Sequence, residues 1–99
     1  MNGRPFRFIW LDVIRSQVRT GALTHNAGHL ALMLAVHYIN GGSNQAWPSQ
    51  QNLAADTGLS ETTVRRGLHE LEQNGYLTVT RGHQGRITGN VYQLENRSD

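Results

Sequence analysis

Two serines, a glycine and a set of spaced leucines between Ser49 and Gly75 leave this chain few ways to fold. Ser49 and Ser60 each stand just before a helical pattern, the first covering Gln50 to Thr57 and the second running to about Asn74. Their hydroxyls are suited to accept from the first free amides of a helix. Gly58 separates the two patterns, and a tight interhelical turn needs a residue that takes positive φ without strain. Leu53 and Ala54 fall on the inner face of the first helix; Val64, Leu68 and Leu71 fall on the inner face of the second. Ala54 is small enough to let the helices cross closely, and Gly75 stops the second one. The expected unit is a pair of short helices joined by a tight turn, each packing one face on a shared core.

The rest of the chain supplies that core. Trp10, Val13, Ile14 and Val18 recur at helical spacing, which predicts a first helix over about 8–19, although Phe6, Phe8 and Trp10 alternate as the start of a strand would. Thr24 is placed to cap a second helix reaching about Ile39, apolar nearly all round at "LALMLAV" and so central to the core. Asn40, Gly41 and Gly42 end it, and His37 is expected to pack or bond within the core. Ala46, Trp47 and Pro48 should be extended, because a residue before proline is pushed out of the helical region. Trp47 and Trp10 are both expected as core anchors.

From Tyr76 the period changes to two: Leu77 and Val79 alternate with Thr78 and Thr80, and Tyr92 and Leu94 with Val91 and Gln93. The glycine-rich "RGHQGRITGN" between them reads as a hairpin tip, giving a projecting hairpin over about 76–95. The predicted order is helix, helix, short strand, helix, helix, strand, strand, an α+β arrangement occupying residues 1–99 as a single domain.

Composition narrows the function classes. The longest apolar run, "LALMLAVHYI", is too short to span a bilayer, and "MNGRPFRFIWLD" lacks a signal-peptide cleavage pattern, so a cytoplasmic protein without a membrane partner is expected. With no cysteine there is neither a disulfide nor a thiolate metal site. His25 and His29 stand at i,i+4, but no cysteine or nearby carboxylate completes a ligand set, so no metal and no cofactor are expected. The seven carboxylates are dispersed, and no motif joins a nucleophile to a base, so no enzyme is read here. All nine basic residues counted as Lys plus Arg are arginines, and the net charge is only +2. Arginine presents a planar fork matched to phosphates and guanine edges, so any nucleic-acid footprint must be local rather than global.

The segment "WPSQQNLAADTGLSETTVRRGLHELEQNGYL", preceded by "LALMLAVHYINGG" and followed by "NVYQL", resembles the winged helix-turn-helix family. It is most similar to the helix-turn-helix domains of phage and plasmid replication proteins and small bacterial regulators. Cap, small residue, turn glycine, three core positions and terminal glycine all fall in register, over roughly Leu23 to Leu94. The resemblance implies a fold whose second short helix reads double-stranded DNA, with the hairpin as the wing.

The outward face is legible without the family. At about 100° per residue, with Val64, Leu68 and Leu71 inward, Thr62, Arg66, His69 and Gln73 point away from the core and Arg65 lies to one side. Arginine can fork onto guanine O6 and N7, and the start of the helix at Ser60, Glu61, Thr62 and Thr63 can approach the groove. Ser49, Gln50 and Gln51 begin the preceding helix, whose free amides can hold a backbone phosphate. In the hairpin, Arg81, His83, Gln84 and Arg86 are polar or basic without an apolar partner, as a wing on phosphates or the minor groove would be. A plainer reading stays open: Arg66 pairing with Glu70 at i,i+4, Ser49 as a cap alone, and an exposed loop. Glu61, Glu70 and Glu72 weigh against DNA, although Glu61 at a helix start is also favoured by the dipole or could accept from a cytosine amine.

The expected function is sequence-specific binding of double-stranded DNA by a transcriptional regulator. Two alternatives stand beside it: the origin-binding domain of a phage or plasmid replication initiator, and a module for protein–protein interaction. Ile9, Leu11, Val13, Ile14 and Val18 spread apolar character over about 200° around the first helix, about twice what packing on one core uses. A homodimer paired through this helix is therefore expected, with Phe6, Phe8 and the last strand wrapping the helix in one chain as the competing account.

Overall fold

The computed structural model describes residues 5–81 and 90–95. Its elements are α1 (Phe6–Arg19), α2 (His25–Met33) continued by a π-helical turn (Leu34–Tyr38), β1 (Gln45–Ala46), α3 (Gln50–Thr57), α4 (Glu61–Gln73), β2 (Leu77–Thr80) and β3 (Val91–Leu94). The strands form one antiparallel sheet in the order β1-β3-β2, with Ala46 opposite Tyr92, and Leu77 opposite Leu94 through to Thr80 opposite Val91. This is the α+β winged helix-turn-helix arrangement.

The caps act where the sequence places them. Oγ1 of Thr24 accepts from the Ala27 amide at 3.2 Å, Oγ of Ser49 from Asn52 at 2.9 Å, and Oγ of Ser60 from Thr63 at 3.1 Å. Gly58 takes φ 79° and closes the turn with its N–H on the Ala54 carbonyl at 2.9 Å. Helix α1 starts at Phe6, two positions earlier than expected, with Pro5 before it, so Phe6 and Phe8 are helical and no strand forms there. Pro5 brings a fixed φ and lacks the N–H that a helix start leaves unpaired.

The core gathers Trp10 and Ile14 of α1, Ala27, Leu30 and Ala31 of α2, Leu34 and Ala35 of the π turn, Leu53, Val64, Leu68 and Leu71, closed by Tyr76, Leu77, Tyr92 and Leu94 of the sheet. The Trp10 indole N–H donates to the Tyr76 carbonyl at 3.0 Å, so the buried ring keeps its one polar atom satisfied. Gly67 sets the crossing of α2 and α4. A Cβ there would lie 2.3 Å from Cδ1 of Leu30 and 3.7 Å from the Ala27 Cα. Gly67 is thus the small residue that lets α4 approach α2 closely, and Ala54, half-buried, packs against the core from α3.

Three expectations about burial need correcting. Trp47 is 59 % exposed: side chains alternate along an extended segment, and here Ala46 and Pro48 take the inner positions. His37 is exposed and stacks edge-on against Tyr38, 4.0 Å from the Asp56 carboxylate. The second helix does not bury its whole circumference, since Leu32 and Val36 face outward. Tyr38 donates its hydroxyl to Oδ2 of Asp56, tying the π turn to α3, and this hydrogen bond raises the phenol pKa above its ordinary value. His29, one of the two i,i+4 histidines, sets Nε2 3.1 Å from the Thr57 carbonyl, a second tie to the end of α3. No helix among the described residues is long and apolar enough to cross a membrane.

Candidate nucleic-acid interface

Helix α4 is amphipathic by construction. Val64, Gly67, Leu68 and Leu71 are buried, whereas Glu61, Thr62, Arg65, Arg66, His69 and Gln73 are exposed on the remaining surface. Its start is held internally: the Ser60 hydroxyl donates to Oγ1 of Thr63 at 2.9 Å while accepting from the Thr63 amide. Ser60 and Thr63 thus order the first turn, and Thr62 with Glu61 is left facing solvent.

Two of the three acids that weighed against DNA, Glu70 and Glu72, have other partners. Glu70 accepts from the Thr24 amide at 2.8 Å and from its hydroxyl at 2.7 Å, so the carboxylate caps the start of α2 and ties it to α4. A negative group at that end also meets the positive end of the α2 dipole. The i,i+4 pair with Arg66 does not form, and neither Arg65 nor Arg66 makes an ion pair with a described residue. Glu72 is engaged by Arg81 through two contacts, at 3.1 and 3.3 Å. The hydrogen bonding and charge of Glu72 raise the Arg81 pKa further, keeping the guanidinium charged.

Between α4, the start of α3 and the base of the hairpin lies an open cleft of about 350 Å³. Gln50 enters it from α3, Arg65, Arg66 and His69 from α4, and Arg81 and Asn90 from the hairpin base. Three separate stretches of chain thus converge on one face. Ser49 spends its side chain on the Asn52 amide, and the first amides of α3, at Gln50 and Gln51, have no acceptor within their own helix. Gln51 is exposed beside them. His83 and Arg86, with Gln84, lie outside the described residues. Asn90 is the cleft residue that the sequence reading missed; its side chain donates to the Tyr92 hydroxyl at 3.3 Å. Its position directly before the strand pattern of Val91 to Leu94 was the available signal.

Two capped helices meeting at a positive-φ glycine, backed by a three-stranded sheet, define a winged helix-turn-helix protein. Residues 21–77 match the family model described as a helix-turn-helix domain; that is more than half of the chain, and the chain belongs to this family. Over 60 residues it is 45 % identical to the HTH-type transcriptional regulator TreR of Bacillus subtilis (strain 168), a match covering 58 % of this chain and 25 % of that protein. The match thus spans about a quarter of the relative's length. No solved structure matches the chain significantly.

Proposed function

We propose that this protein binds double-stranded DNA sequence-specifically as a transcriptional regulator, with α4 as the recognition helix in the major groove. The observation that carries this is the pairing on α4: its two central arginines have no acidic partner among the described residues, while Glu70 and Glu72 are engaged elsewhere. Arg66, with Arg65 beside it, forks onto guanine edges; Thr62 and His69 supply further hydrogen bonds, and Glu61 can accept from a cytosine amine. Ser60 and Thr63 hold the helix start in place. Gln50 and Gln51, on the turn capped by Ser49, take a backbone phosphate through their amides. Arg81, His83 and Arg86 give the wing its phosphate contacts. The similarity to a relative named as a transcriptional regulator supports the regulatory role.

A homodimer fits the same reading. Phe8, Ile9 and Val13 remain 36 %, 46 % and 38 % exposed on α1, an apolar flank that pairing would cover. Two copies would then present recognition helices to successive major grooves of a two-fold site.

The test is selection from a random duplex pool followed by titration of the enriched sequence at several salt concentrations. The reading predicts one enriched motif and an affinity that falls as salt rises. No enrichment, with association limited to protein partners, would overturn it.

A further inference from the structure

Trp47 is a large apolar side chain left 59 % exposed on a segment fixed at both ends. Before it, Ala46 is buried and paired with Tyr92; after it, Pro48 is buried and Ser49 caps α3. Strand β1 runs antiparallel to β3, so passing from Gln45 through Ala46 to Trp47 moves toward the hairpin end of the sheet, where Thr80 opposite Val91 is the last pair. Trp47 therefore stands near the base of the wing on one side and the start of α3 on the other. These same two places send Arg81, Asn90 and Gln50 into the cleft beside α4.

Ser49 and Gln50 follow it in the chain, and continuing the β1–β3 register brings it beside Val91 at the wing base, next to the polar Asn90. The other exposed large apolar residues lie on different elements: Phe8, Ile9 and Val13 on α1, and Leu32 and Val36 on α2 and its π turn. An indole has one N–H donor, no acceptor, and a broad apolar face. That combination suits a deoxyribose against the ring and a phosphate oxygen on Nε1, a contact that positions the duplex without reading sequence.

We propose that Trp47 is a DNA-backbone contact, seating the strand that passes between the wing and the start of α3. The proposal rests on the DNA-binding reading above. Because a backbone contact is independent of sequence, an arbitrary-sequence duplex of about 20 base pairs at low salt is a sufficient probe.

The chain has two tryptophans, and Trp10 is only 2 % exposed, so quenchable emission reports on Trp47. Acrylamide quenching of the full chain should fall sharply when the duplex is added, and Trp47→Phe should abolish that change. Trp47→Ala should weaken duplex binding about tenfold by dye anisotropy, the order expected for a lost charge-assisted hydrogen bond with its ring contact. Its melting temperature should stay put, because the side chain fills no core volume. If the duplex binds while Trp47 stays quenchable, or if Trp47→Ala binds like the parent, the indole does not touch DNA. If no duplex binds the parent chain at all, the DNA-binding reading itself fails, and this proposal with it.

Discussion

Arg66 lies one turn before Glu70, yet that carboxylate is taken by Thr24, and the guanidinium is left for an external partner. Arg66→Ala should therefore lower affinity for the selected site by about 1–3 kcal/mol, the value of a bidentate guanine contact, with Arg65→Ala smaller. Thermal melting of both variants should match the parent, since neither side chain is buried. Arg81 differs, because Glu72 already holds it at 3.1 Å. A surface pair of this kind adds little to stability, but it competes with phosphate for the same guanidinium. Glu72→Gln should accordingly strengthen binding to every duplex alike, and Arg81→Ala should weaken it and flatten the logarithmic salt dependence by about one unit. Titrations at several salt concentrations would show it; an unchanged slope would mean that Arg81 does not reach the backbone.

At the scale of elements, two glycines are required for different reasons. Gly58 has nothing within 4 Å of a would-be Cβ, so a side chain there costs only what φ 79° imposes. That is about 1–2 kcal/mol for alanine and more for a β-branched residue, so Gly58→Val should melt well below the parent. Gly67 lies inside α4, and a methyl group there meets Leu30, which is wholly buried. Overpacking of about 1–3 kcal/mol then outweighs the roughly 1 kcal/mol that alanine gains in helix propensity, so Gly67→Ala should also lower the melting temperature. The first glycine was legible in the sequence because its reason is local: two capped helices with one residue free to turn between them. The second was not, because its partner Leu30 sits on another helix. Glu70 is the same case, an i,i+4 neighbour of Arg66 in sequence and a cap for Thr24 in space. The caps at Thr24, Ser49 and Ser60, the strand alternation, and the outward set of Thr62, Arg66 and His69 all rest on spacing within one element, and these were readable. Trp47 was misread by residue type, since indoles are usually buried; the alternation between Ala46 and Pro48 would have placed it outside.

For the whole molecule, a net charge of +2 says little, and the face of α4 acquires its character by pairing rather than by composition. One recognition helix reads few base pairs, and the exposed flank of Ile9 and Val13 offers a way to bring in a second. Light scattering from low micromolar concentration upward should reach a mass near two chains, and Ile9→Glu with Val13→Glu should return it to one. A mass near one chain throughout would remove the dimer while leaving the groove contact standing. The groove contact itself is most directly read by methylation protection at guanine N7, the major-groove atom that an arginine fork covers. On the selected duplex, the parent protein should protect one or more guanines that Arg66→Ala, at concentrations giving equal occupancy, leaves reactive; guanines equally reactive with and without bound parent protein would contradict the placement of α4 in the major groove.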